Sequence, residues 1–233
     1  MSNVASAGGV REFPAVVPLG YRTSGPAPTG TRIVLLRHGE ARCNVDGVVG
    51  GHSGCRGLTE RGRRQAERLG SHLADWLAPG ALYCSALPRA RETADALPLE
   101  QWGLVPQVSH DWCELEPGEA DGLTWDQVEA RYGSAGLEDP SAPFSPGGES
   151  RREFFARVRE ALLSTSARHP GDVVVVACHG GVIEQAVALA LGFDESARLL
   201  LRTEHCSWTE LDVAAGEIRL LSYNERVRVP TAD

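Results

Sequence analysis

The chain has 233 residues, of which 42% are hydrophobic and 23% charged, with a formal net charge of −8 and a pI near 5.4. That length suits one sizeable α/β core, and the acidic balance argues against a general nucleic-acid binder, which presents a basic face. No charged region followed by a long apolar stretch opens the chain, and apolar runs such as Val173 to Cys178 fall far short of the ~20 residues that span a membrane. A cytoplasmic chain with neither a membrane nor a nucleic-acid partner is expected.

Residues 1 to about 30 are rich in Gly, Pro, Ala, Ser and Thr and lack periodicity, so they read as a flexible or loosely docked leader to a single domain over 31–233. From Thr31 the pattern changes. Arg32 to Leu36 is a short apolar run ending abruptly in Arg37-His38-Gly39, the mark of a buried strand that delivers polar residues to a loop. Thr59 reads as the N-cap of a helix to about Ala78, with Ala66, Leu69, Leu73 and Leu77 at helical spacing. A second strand, Ala81 to Cys84, ends in Ser85, and Pro88 starts a helix through Ala96.

Beyond it the spacing predicts a short strand near Gln107–Ser109, a helix near Thr124–Tyr132 and a Gly/Pro/Ser-rich loop from Gly133 to Gly148. Glu149 to Arg168 is strongly amphipathic, through Phe154, Phe155, Val158, Leu162 and Leu163. Asp172–Cys178 is a buried strand that runs into His179-Gly180-Gly181 and an apolar helix to Leu191. Alternating segments at about 206–213 and 217–223, joined at Gly216, suggest an edge hairpin. Strands alternating with helices imply an α/β fold, a three-layer αβα sandwich around a mostly parallel central sheet. The six cysteines lack CxxC pairs, and Cys84 and Cys178 sit in apolar runs, so reduced thiols are expected.

Three strands thus end in polar clusters: Arg37-His38-Gly39, Ser85 with Arg89, and His179-Gly180-Gly181. Any one of them alone reads as a loop, a capping detail or a solvated helix residue. In open α/β sheets, however, ligands collect outside the carboxyl ends of strands. Two arginines, two histidines and the Gly180–Gly181 amides at a helix start suit a phosphate dianion.

The order of further segments carries a resemblance. Arg37-His38-Gly39-Glu40 is followed by Asn44, then Leu58-Thr59-Glu60-Arg61-Gly62 and the SxxxRAxxTA stretch Ser85 to Ala94. Pro146-Gly147-Gly148-Glu149-Ser150 and His179-Gly180-Gly181 complete the set. Over about residues 32 to 224 the chain resembles the histidine phosphatase superfamily, which includes cofactor-dependent phosphoglycerate mutases, fructose-2,6-bisphosphatases and alpha-ribazole phosphatases. The resemblance implies that His38 is a nucleophile forming a phosphohistidine. Arg37, Arg89 and His179 would hold the phosphoryl oxygens, with Asn44 as a neutral donor and Gly180 at the anion. The family's general acid precedes an E-x-x-x-G-x-x-x-G segment, here Glu114 to Gly122, which points to Glu114. Glu40 is expected to orient the loop.

The segment after the acid is acidic and lacks the basic pair with which the mutases grip a carboxylate, so hydrolysis of a small-molecule phosphate ester is preferred over a mutase reaction. A catalytically weak phosphate-binding module is the alternative from another class. No cofactor and no metal are implied, since His52, His72, His110 and His169 show no metal-ligand spacing. A homodimer is compatible with this reading. At the strand end, Cys178 lacks the Cys-x5-Arg loop of a cysteine phosphatase, since Glu184, not Arg, stands six positions after it, and no P-loop is present. Trp112, Trp125 and Phe144 are expected on an acidic rim, where Glu114, Glu116, Glu119, Asp121 and Asp126 would repel substrates with extra anions. His205 is read as a strand-edge residue, with a place at the pocket rim as the alternative.

Overall fold

A computed structural model of the chain describes residues 30–133, 139–197 and 199–227. The leader expected over residues 1 to about 30 falls outside them except for Gly30, as does the middle of the 133–148 loop. Six strands form one sheet: β1 (Thr31–Arg37), β2 (Ala81–Ser85), β3 (Gln107–Ser109), β4 (Val173–Cys178), β5 (Trp208–Ala214) and β6 (Glu217–Glu225). Their order is β3-β2-β4-β1-β5-β6. The first four are mutually parallel, and the expected hairpin adds β5 and β6 as an antiparallel edge.

The helices are α1 (Arg42–Asp46), α2 (Glu60–Ala74), α3 (Pro88–Asp95), α4 (Leu99–Trp102), α5 (Trp125–Tyr132), α6 (Arg151–Arg168) and α7 (Gly180–Ala190). Side chains alternate across a strand, so Ile33, Leu35, Val174 and Val176 face one way. They pack on Phe154, Val158 and Leu162 of α6 and Ile183 of α7. Val34, Leu36 and Val175 face the other way, onto Ala66, Leu69 and Leu73 of α2. All four residues from Ile33 to Leu36 are fully buried, each worth roughly 1.5–3 kcal/mol of apolar transfer.

Local chemistry sets the helix ends. Thr59 Oγ1 accepts from Gly62 N at 2.9 Å, and Ser150 and Glu153 cap each other, Ser150 Oγ accepting from Glu153 N at 3.2 Å and Glu153 Oε2 from Ser150 N at 2.8 Å. Because Ser150 is the cap, α6 starts at Arg151 rather than Glu149. Likewise α2 stops at Ala74, four residues before the expected end and ahead of Pro79. Pairing of Arg37 with Cys178 and of Cys84 with Ala177 brings the ends of β1, β4 and β2 level. His38, Ser85 and His179 therefore meet at one edge of the sheet.

Candidate active site

His38 is 3% exposed at the end of β1. Its Nδ1 lies 2.7 Å from the Gly39 carbonyl oxygen, and Arg89 Nε donates to its Nε2 at 3.1 Å. An arginine can only donate and a carbonyl can only accept, so the network assigns the proton to Nδ1 and a lone pair to Nε2. Burial pushes the His38 imidazole well below its ordinary range, and the Arg89 and Arg37 charges push the same way. Sequence and sterics agree on the next residue: a Cβ at Gly39 would run into the Gly62 backbone, so the glycines of the Arg37-His38-Gly39 and Leu58–Gly62 segments let two loops touch.

Arg89, 4% exposed on α3, is tied by Nη1 to the Gly50 carbonyl at 2.6 Å. Thr93, one turn on, donates to the Arg89 carbonyl at 2.7 Å and accepts from Gly39 N at 3.1 Å. The SxxxRAxxTA stretch therefore fixes the guanidinium against the His38 loop. Arg37 donates through Nη1 to the Thr203 carbonyl. Its Nε is buried with no hydrogen-bond partner among the described residues. Gly180 packs on the same guanidinium, its Cβ position 3.5 Å from Arg37 Nε.

His179 is fully buried, with Nε2 2.7 Å from Ser85 Oγ. Ser85 in turn donates to Cys113 Sγ at 3.3 Å, which leaves its oxygen free to accept from His179 Nε2. His179 Nδ1 is buried without a partner among the described residues. Burial, followed by Arg89, His38 and Arg37, pushes this imidazole well below its ordinary range as well. The His38 and His179 rings lie 5.2 Å apart, centre to centre.

Glu114 reaches the cluster from the loop after β3. Its Oε2 accepts from Gly181 N at 3.0 Å and its Oε1 from Leu115 N at 3.0 Å. Arg157 of α6 holds this stretch from behind: Nη1 donates to the Asp111 and Cys113 carbonyls at 2.9 Å each, and Nη2 to the Glu114 carbonyl at 3.3 Å. Glu149 clamps Arg157 with bonds of 2.9 and 2.7 Å. The Pro146–Ser150 segment thus both caps α6 and, through Arg157, positions Glu114. Glu40 accepts from Thr59 Oγ1 at 2.8 Å and from Arg61 at 3.0 Å, consistent with its expected loop-orienting role.

Several expectations change. The Gly181 amide is taken by Glu114, so it is not free to face an anion as the sequence suggested. A Cβ at Gly181 would collide with that carboxylate. Because a flexible side-chain end can give way, Gly181→Ala is expected to keep the fold and displace Glu114, lowering turnover of alkyl phosphates on the order of 10²-fold. Unchanged turnover with unchanged thermal stability would contradict this placement of the acid.

His205 is no mere strand-edge residue. Its ring lies 5.7 Å from that of His38, and its Nε2 is 3.2 Å from Asn44 Oδ1. Burial and the Arg37 charge push it down to about 4. Asn44 itself is exposed at the pocket edge, with Oδ1 also accepting from Ala41 N at 3.1 Å. No motif marked His205; only its position late in the chain, before β5, hinted at it. Trp112 is 1% exposed and belongs to the core beside Phe154 and Val158, not the rim. Trp125 is exposed and meets Phe144 edge-on at 6.2 Å. Asp121 accepts from Gly51, Ser53 and Gly54 amides at 2.6–2.9 Å, which makes it a loop tie. His52 and His110, read as lacking metal partners, converge with Cys113.

A strand-end histidine flanked by two arginines, a second buried histidine and a carboxyl group converge at one edge of a mostly parallel sheet. Residues 33–226 match the histidine phosphatase superfamily (branch 1), and the chain belongs to that family. A metal-independent phosphoserine phosphatase of Arabidopsis thaliana is 32% identical over 177 residues, 73% of either chain. A 2,3-bisphosphoglycerate-dependent phosphoglycerate mutase of Bartonella quintana (strain Toulouse) is 32% identical over 171 residues, 70% of this chain and 82% of its own. The structure of a mycobacterial glucosyl-3-phosphoglycerate phosphatase complexed with VO3 aligns with a TM-score of 0.71 at 32% identity, covering 83% of this chain and 99% of that one. No helix among the described residues is long and apolar enough to cross a membrane.

Proposed function

We propose that the chain hydrolyses a small-molecule phosphate monoester by way of a phosphohistidine on His38, with Glu114 as general acid. The observation that carries this reading is the His38 tautomer: Nδ1 is committed to the Gly39 carbonyl, and the Nε2 lone pair is directed at Arg89. An unprotonated nitrogen is what nucleophilic attack requires. Arg37 Nε and His179 Nδ1, both buried without a hydrogen-bond partner among the described residues, supply the rest of the pocket. A phosphate dianion draws a proton onto His179, since an adjacent negative charge favours the cation. Arg37, Arg89 and protonated His179 then bond the oxygens on which charge spreads in a loose transition state.

In the first step Nε2 bonds to phosphorus, the P–O ester bond breaks, and the Glu114 proton goes to the departing alkoxide. In the second, the Glu114 carboxylate takes a proton from water, which attacks the phosphohistidine. Inorganic phosphate leaves and neutral His38 is restored. The mutase reading needs a second acidic substrate group to be gripped, and the segment from Glu114 to Asp121 offers carboxylates in place of cations. Exposed Trp125, set edge-on against half-buried Phe144, favours an apolar or ring-bearing alcohol, such as a sugar, nucleoside or cofactor-precursor monophosphate.

A kinetic screen of phosphate esters tests this. Monophosphates without further anionic groups are expected to give the highest kcat/KM. A strong preference for bisphosphates, or phosphoryl transfer to 3-phosphoglycerate outrunning hydrolysis, would contradict the reading. Hydrolysis of nothing in the screen would favour the binding module.

A further inference from the structure

One cluster lies outside the phosphate pocket yet adjoins its acid. His110 and Cys113 stand three residues apart across the one-turn helix His110–Trp112, with Cys113 N donating to the His110 carbonyl at 3.0 Å. His52 arrives from the Gly50–Cys55 turn that Asp121 ties down. A nitrogen of each ring and the Cys113 sulfur all lie within 4.8 Å of one another, and the two rings are 5.5 Å apart. We propose that His52, His110 and Cys113 form a binding site for a single Zn²⁺ ion that inhibits the phosphatase reaction.

Two imidazoles and a thiolate suit a borderline-soft, tetrahedral ion better than Mg²⁺ or Ca²⁺, which take oxygen ligands. Zn–N and Zn–S lengths put tetrahedral ligand atoms about 3.5 Å apart, so a closure of about 1 Å is needed. His52 and His110 are both exposed and free to supply it. Glu116 Oε2, 3.7 Å from His52 Nε2, is placed to be the fourth ligand. The turn is already organised: Arg157 holds the Asp111 and Cys113 carbonyls, and Ser85 donates to the Cys113 sulfur. The Arg157 charge, which would oppose a cation, is paired with Glu149. The adjoining cleft of about 460 Å³ is lined by Glu114, Glu116, Glu149 and Glu153, so its field favours a cation.

Inhibition follows from position and rests on the phosphatase reading. Cys113 is one peptide unit from Glu114, and both line the same cleft. A divalent charge there attracts the Glu114 side chain, drawing it off Gly181 N and away from the leaving alcohol.

The test uses the full chain freed of metal with a chelator, then titrated with Zn²⁺ or with Co²⁺ as a spectroscopic stand-in. One ion per chain is expected, and the Co²⁺ form should show thiolate-to-cobalt charge-transfer absorption. Cys113→Ser should lose that band, and His52→Ala, a change at an exposed ring, should weaken Zn²⁺ binding at least tenfold with unchanged metal-free turnover. Saturating Zn²⁺ should lower wild-type turnover at least tenfold, and His52→Ala should need correspondingly more of it. Absence of saturable binding, a band that survives in Cys113→Ser, or bound Zn²⁺ without inhibition would overturn the proposal. Inhibition unaltered in His52→Ala would assign the ion to His38, His179 and His205 and overturn it equally. Binding is read without turnover, so failure of the phosphatase reading, seen as no hydrolysis in metal-free protein, remains distinguishable.

Discussion

Replacing His38 with alanine is expected to lower turnover by on the order of 10³- to 10⁶-fold, the range seen when a covalent nucleophile is removed and only binding and electrostatic stabilisation remain. The side chain is deeply buried but does not belong to either large apolar cluster on the sheet faces, so the variant should stay folded. Phosphate binding should persist, because Arg37, Arg89 and His179 are held by their own partners: the Thr203 carbonyl, the Gly50 carbonyl and Ser85. The measurement is kcat on several esters, with the affinity for inorganic phosphate read separately. Loss of both together would point to a collapsed pocket; turnover within about tenfold of wild type would remove His38 from the chemistry.

Glu114→Gln is the second large effect, and its size should depend on the leaving group. The amide keeps the shape and an oxygen to accept from Gly181 N, but it has no acidic proton to give. Alkyl phosphates, whose alkoxide cannot leave without a proton, should slow by about 10²–10⁴-fold. p-Nitrophenyl phosphate, whose phenolate leaves unaided, should slow by less than about tenfold. Rate measurements across esters of graded alcohol acidity check this. An equal loss on all of them would mean that Glu114 positions substrate or the α7 start and does not deliver a proton.

The meeting of His38, Ser85 and His179 at one sheet edge was legible because these residues lie where periodic signals stop. An apolar run such as Ile33–Leu36 is too short for a buried helix and carries β-branched residues, so it reads as a buried strand with the polar residues after it at the sheet edge. The same logic placed Ser85 and His179. The parallel sheet and its hairpin edge followed from the alternation of runs and helices. That Glu114 would reach this cluster was expected only through the resemblance, since nothing in its own acidic segment separates it from Glu116 or Glu119.

What escaped depends on contacts between distant segments that leave no local pattern. Helices α1 and α4 are five and four residues long, too short to show a helical period. The Gly181 amide reads as an anion donor until Glu114, 67 residues away, is seen to occupy it. His205 meets His38 across the turn before β5, and Cys206 N donates to the Arg37 carbonyl at 3.1 Å, a join no motif encodes. The acidity of Asp121 suggested a rim charge, whereas three loop amides make it structural. His52 and His110 are 58 positions apart in sequence, so their spacing could not announce a shared site.

The phosphohistidine is tested most directly by rapid alkaline quench during turnover of a ³²P-labelled ester, followed by peptide mapping without exposure to acid. A burst of acid-labile, base-stable label approaching one per site, carried on the His38 peptide and chased off by unlabelled substrate, is the predicted result. Product formation at full rate with no label on that peptide, or with label on another residue, would contradict nucleophilic attack by His38.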